Sequence, residues 1–242
     1  MAKKNMTDNL TADYFLETLA LINTSADNKK FFKGNDKDNL VFNIRMADIF
    51  TIAKLFMQMP LSEIKKLLDS KYYEARMGAV SIMDFQARDK KTTPDRKKEL
   101  FDIYIDKHNR INNWDLVDRS APFVVGGYLF DKDRKILYKL AKSKDICERR
   151  TAIVATYFFI RQNEIEDTFK IAELLVNDKE DLINKAVGSW IREAGKRDKK
   201  RLFVFLDKYA ATMPRVTLRY AVEKLDRTEK EYYMTLSTKI KK

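Results

Sequence analysis

The chain has 242 residues, 45% hydrophobic and 35% charged, which fits a globular protein of one large domain or two small ones. Lys and Arg outnumber Asp and Glu by 48 to 36, a formal net charge of +12. That excess points to a polyanion, either nucleic acid or an anionic membrane surface, with a solvated basic surface as the plain alternative. A single cysteine, Cys147, and a single histidine, His108, exclude an intrachain disulfide, zinc fingers and His-x-x-x-His metal sites.

The opening MAKKNMTDNL lacks the apolar segment of a secretory signal, so a cytoplasmic protein is expected. Residues 10–22, LTADYFLETLALI, read as an amphipathic helix, and residues 1–25 are expected to cap the array that follows. GNDKDN (34–39) reads as a surface loop. From there on a pattern recurs: a basic residue closely followed by a small residue among apolar neighbours. It appears at Arg45, Arg76, Arg119, Arg150, Lys185 and Arg219. The spacing is close to the length of a helix–turn–helix repeat of ~34–47 residues.

Between these marks lie amphipathic stretches at 60–70, 95–108, 132–143, 165–178 and 199–210. Each is expected to be the first helix of a repeat, and each marked stretch the second. The polar segment 87–98 connects two repeats, and His108, beside the turn-like HNR, is expected at the surface. TAIVATYFFI (151–160) is too short to span a bilayer and reads as a buried helix.

The expected fold class is therefore all-α: a HEAT-like helical-repeat solenoid, one domain over residues 1–242. The second helices of a solenoid line a concave face, so Arg45, Arg76, Arg150, Lys185 and Arg219 are expected there as a positive stripe. Such a stripe attracts phosphates without reading sequence. No glycine spacing for nucleotide binding occurs, and neither metal nor cofactor is expected.

INNWDLVDRSAP (111–122) stands out on this basic background. Asn112 or Asn113 can cap a helix, and Asp115 falls in its first turn, where a carboxylate suits the positive helix end. Leu116, Val117 and Ala121 can face the core. Trp114 and Asp118 are four residues apart and share a face. An ion pair of Asp118 with Arg119, Arg149 or Arg150, beside a packed tryptophan, is the structural explanation. A functional pair is the other.

FFKG (31–34), INNWDLVDRSAP, ERRTAIV (148–154) and NKAVGSWIREAGKRD (184–198) together resemble the AlkD-like DNA alkylation-repair glycosylases, which are HEAT-like repeat proteins. The likeness covers most of the chain, and the Trp-to-Asp spacing is its most specific part. The resemblance implies excision of cationic N3- or N7-alkylated purines from duplex DNA by hydrolysis of the N-glycosidic bond, without base flipping. It implies that Trp114 packs on the lesion deoxyribose, that Asp118 is the catalytic carboxylate and that Arg150 grips the DNA backbone. Phe31 falls where some members place an aromatic residue, often Tyr, on DNA.

Some active members carry a tryptophan directly after the glycine of KAVG, where this chain has Ser189. Trp190 is one position on, about 100° around the helix. It continues a core stripe of Val187, Trp190, Ile191 and Ala194. Lys185, Ser189, Arg192 and Lys196 share another face, expected toward DNA.

The expected partner is double-stranded DNA with alkylated bases, bound by a monomer away from membranes and near the nucleoid. Two further readings stand beside the glycosylase: a DNA-binding repeat protein without catalysis, and a protein-binding scaffold. Salt-dependent DNA binding separates the scaffold from the other two, and release of a methylated base separates those two from each other.

Overall fold

Low glycine and proline, and apolar residues at helical spacing, give a chain built from helices joined by short turns. A computed structural model describes residues 9–22, 26–32 and 39–239, with only the backbone given for Phe31 and for 237–239. The expected loop at 34–39 thus lies outside the described residues except for Asn39. Among the described residues there is no strand, only an isolated parallel bridge between Leu40 and Tyr72.

The helices are α1 (Ala12–Ala20), α2 (Met46–Leu55), α3 (Leu61–Leu68), α4 (Tyr73–Arg88), α5 (Pro94–Asp106) and α6 (Trp114–Ser120). A π-helical segment (Ala121–Gly126) and α7 (Gly127–Leu129) follow, then α8 (Lys135–Leu140), α9 (Ile146–Arg161) and α10 (Glu166–Leu175). The last are α11 (Asp181–Gly195), α12 (Lys199–Tyr209), α13 (Arg215–Ala221) and α14 (Arg227–Lys239). Polar caps set several starts: Thr11, Thr93, Asp145 and Asp198 each accept the N–H three residues on. Pro94 at the first turn of α5 costs nothing, because its missing N–H would have had no intrahelical partner.

The chain divides into two compact units, 1–128 and 129–242. In the first, α4 packs against α2 on one side and α6 on the other, while α3 and α5 lie on α4 and α1 lies on α2 and α3. In the second, α11 packs between α9 and α13, with α8, α10 and α12 on this layer and α14 against α13. The alternation of first and second helices read from the sequence is what forms. Every marked basic residue falls on, or at the start of, a second helix: α2, α4, α6, α9, α11 and α13. The all-α helical-repeat fold is as expected.

Within the second unit the layer is tight. A Cβ on Gly188 of α11 would lie 2.5 Å from the Thr217 carbonyl oxygen and 2.6 Å from Tyr220 Cβ, both of α13. Only a residue without a side chain lets those two backbones meet. Among the described residues, no helix is long and apolar enough to cross a membrane.

His108 is not at the surface. The short 3-10 turn His108–Arg110 that follows α5 folds it back, where it is buried edge-on to Tyr104 at 5.5 Å.

Gly188→Ala should lower stability by about 1–3 kcal/mol, because α13 can yield only by moving its backbone. Chemical denaturation of parent and variant measures this. An unchanged midpoint would show that the layer has slack.

Candidate functional site

The site suggested by INNWDLVDRSAP is built on α6. Asn113 is the cap: its side chain accepts the Trp114 N–H at 3.0 Å, and it is itself buried. Leu116, Val117 and Ala121 have no exposed surface, so one side of the helix is sealed into the first unit. Trp114 and Asp118, one turn apart, both stay partly exposed.

Directly after this pair the helix changes register. Pro122 has no N–H to give the Asp118 carbonyl, and its ring crowds that oxygen, so a regular α-turn cannot continue. The chain answers with the π-helical segment 121–126.

Asp115 proves to be more than a helix-start acid. Its carboxylate accepts from the Tyr73 hydroxyl of α4 and from the Leu116 N–H at 2.8 Å. Burial pushes this carboxyl up to about 6, with the charge of Asp118 adding to the rise, against the hydrogen bonds from Tyr73 and Leu116. Burial and the facing carboxylate raise the Tyr73 hydroxyl far above its usual range, so it is a neutral donor. The Tyr73 ring also meets Phe32 edge-on at 5.0 Å, which ties Phe32 to the same spot.

Arg119 does not supply an ion pair to Asp118. It turns to Asp84 on α4, donates to Ser81 Oγ at 3.1 Å and lies over the rings of Phe50 and Phe85. Arg88 holds the same carboxylate at 2.8 Å and stacks 3.7 Å over Phe123 of the π segment. Arg149 is engaged with Asp178 at 2.6 Å.

The expected basic stripe divides into two kinds of residue. Arg45, Lys185 and Arg219 are surface cations. The first is paired with Asp48 at 2.8 Å and the second with Asp181 at 2.6 Å. Asp181 holds the Lys185 ammonium above the usual lysine range, against the opposing charge of nearby Arg219.

Arg76 is a correction. It is 1% exposed, and it donates to the Ser70 carbonyl at 2.8 Å and to the Asn39 side chain. It fastens the residues before α4 and cannot meet a phosphate. Arg150 is 8% exposed and donates to the Leu182 carbonyl at 2.6 Å, so it is a buried residue rather than an open surface cation. Burial of both follows from their place on the packed side of a second helix, where only a side chain with backbone or polar partners can be accommodated.

On α11, Ser189 and Arg192 are partly exposed. Arg192 is bound by Glu223 and by Glu193 at 3.1 Å, and Lys196 reaches Glu193 at 2.7 Å. This face is therefore internally neutralised. Val187, Ile191 and Ala194 form the expected core stripe, but Trp190 departs from it. It is partly exposed and lies against Tyr157 of α9, ring centroids 4.9 Å apart. The Phe31 side chain lies outside the described residues.

Sequence reading missed Tyr73, Glu74 and Asp84. The available signal was that Glu74 and Asp84 are acids inside an otherwise small and apolar stretch, YEARMGAVSIMDF, where a carboxylate needs a buried partner.

The family model described as DNA alkylation repair enzyme matches residues 15–225. The chain belongs to this family. Its fold is similar to that of the predicted DNA alkylation repair enzyme from Enterococcus faecalis, with a TM-score of 0.60 and 13% identity over 78% of this chain and 90% of that one. The crystal structure of AlkD2 from Streptococcus mutans gives a TM-score of 0.56 and 16% identity over 92% of this chain and all of that one. No curated protein matches the chain. This member of the DNA alkylation repair family carries Trp114 and Asp118 on a partly exposed helical face.

The Asp115 carboxyl should titrate near pH 6, well above the ordinary carboxylate value of 3.8, when followed by carboxyl NMR. Because its folded value is raised, the stability it contributes is complete below the unfolded value and is lost as pH rises through about 6. That loss, at most roughly 3 kcal/mol, should flatten in Asp115→Asn. Equal pH slopes for parent and variant would rule the assignment out.

Proposed function

We propose that the protein is a monofunctional DNA glycosylase that excises cationic N3- or N7-alkylated purines from duplex DNA. The observation that carries this reading is the pairing of Trp114 and Asp118 on one partly exposed face of α6, in a chain of the DNA alkylation repair family.

The chemistry suits those two groups. An alkylated purine already bears positive charge and departs without protonation. As its bond to C1′ breaks, positive charge develops on the sugar. A carboxylate at Asp118 stabilises that charge and orients the attacking water. The face of the Trp114 ring holds the sugar and adds cation–π attraction. Undamaged bases are poor leaving groups, so chemistry rather than a fitted pocket spares them.

Arg45, Lys185 and Arg219 are the cations suited to contact phosphate. The ion pairs that now occupy Arg45 and Lys185 are exposed and worth about 0–1 kcal/mol, weak enough to exchange for DNA. A second reading, DNA binding without excision, is favoured by Ser189 in the place of an aromatic wall, with Trp190 turned against Tyr157 instead.

Two measurements test the proposal. Asp118→Asn should lose about 10²–10³-fold in single-turnover release of methylated base, about 3–4 kcal/mol, while keeping its DNA affinity and melting temperature. Asp102→Asn, on the exposed side of α5, is the control. A parent that binds DNA but releases no base would leave the non-catalytic reading standing. Duplex binding should weaken about 10³-fold or more between about 50 and 200 mM salt. Affinity that is flat over this range would favour a protein scaffold.

A further inference from the structure

The first turn of α6 carries a second carboxylate that the excision chemistry leaves unused. An acid at a helix start is ordinarily solvated and interacts only weakly with the helix dipole. Asp115 instead faces inward, with the Tyr73 hydroxyl on one oxygen and the Leu116 N–H, at 2.8 Å, on the other. Tyr73 is itself fully buried, and the edge-on Phe32 ring fixes its orientation.

The charged and titratable groups around this pair are few. From α4 come Tyr73 and, interacting with it, Glu74 and Arg76. From α6 comes Asp118, three residues on, whose charge is felt at Asp115. The segment at Phe32 contributes an uncharged ring.

We propose that Asp115, held by the Tyr73 hydroxyl, is a positioning carboxylate of the excision site. It fixes the first turn of α6, which carries Trp114, and when ionised it adds its negative field to that of Asp118. The inference rests on the glycosylase reading and deepens it.

In the step concerned, the C1′–N9 bond breaks and its electron pair goes to the purine, cancelling the purine's positive charge. A water oxygen forms the new bond to C1′, and its proton passes to Asp118 or to solvent. Asp115 exchanges no proton. Its contribution is charge, so it is present only while the carboxyl is ionised. Since burial pushes that carboxyl up to about 6, the effect should switch within an accessible pH range. Loss of the Tyr73 donor should move the switch upward, because that hydrogen bond favours the ionised form.

The experiment is single-turnover release of N7-methylguanine from methylated duplex DNA between about pH 5 and 8, with spontaneous release subtracted and DNA affinity measured at each pH. The parent rate should rise about 3- to 10-fold across this range, with an inflection near 6. Asp115→Asn should show a flat profile at the lower rate, and Tyr73→Phe an inflection at higher pH, with DNA affinity alike in all three. A merely structural role for Asp115 would leave an inflection near 6 in Asp115→Asn as in the parent, which would overturn the proposal. An active parent with a flat profile would overturn it too. A parent that releases no base overturns the glycosylase reading and this inference together, a result distinct from either of those. Should Asp115→Asn fail to fold, the inflection of Tyr73→Phe decides.

Discussion

Glu74 is a carboxylate without access to water, and the first unit is organised around satisfying it. The Phe42 N–H at 3.0 Å, the Asn43 N–H at 2.8 Å and the Asn28 side-chain amide all donate to it. These donors lie before α4 in the chain, so the need to satisfy one buried carboxylate fixes the positions of Asn28, Phe42 and Asn43. Asn43 takes a positive φ of 61° to present its N–H, a conformation that asparagine tolerates better than most residues. Tyr73 beside Glu74 reaches Asp115 and Phe32, and Arg76 two residues on reaches Asn39 and Ser70. The start of α4 is thus a polar hub that holds both Phe32 and the Trp-to-Asp helix.

The far end of α4 repeats the device with charged donors in place of amides. Asp84 is buried, and burial pushes its carboxyl above the ordinary carboxylate range, against the opposing pull of the Arg119 and Arg88 guanidinium groups. Arg88 and Arg119 close on it, and the rings of Phe50, Phe85 and Phe123 cover the guanidinium groups. This clamp joins α4 to the end of α6, while Tyr73 and Asp115 join their beginnings. A helix of seven residues is too short to be stable alone. Two polar anchors and a sealed apolar side give α6 one position, and Pro122 fixes where its α-register ends.

The surface follows a different rule. Exposed cations on the second helices are balanced by acids on their own or neighbouring helices: Arg45 by Asp48, Lys185 by Asp181 and Arg192 by Glu223. Such exposed pairs contribute little to stability and exchange readily. The buried arginines, Arg76 and Arg150, donate instead to the Ser70 and Leu182 carbonyls.

The sequence by itself determined the helical class, the alternation of first and second helices, a cap at Asn112 or Asn113 and the shared face of Trp114 and Asp118. All of these depend on local periodicity and capping, which neighbouring residues dictate. The basic marks likewise located the second helices correctly. Only the tertiary structure decided which marks reach the surface: Arg45 and Arg76 follow the same local pattern, yet one is exposed and the other sealed. It also decided that His108 turns inward, that Trp190 leaves its core stripe for Tyr157, and that Asp115 belongs to Tyr73. The last two rest on a partner distant in sequence, such as the 42 residues between Tyr73 and Asp115. Helical periodicity fixes which way a side chain points from its own axis, but only packing brings up the residue that it meets.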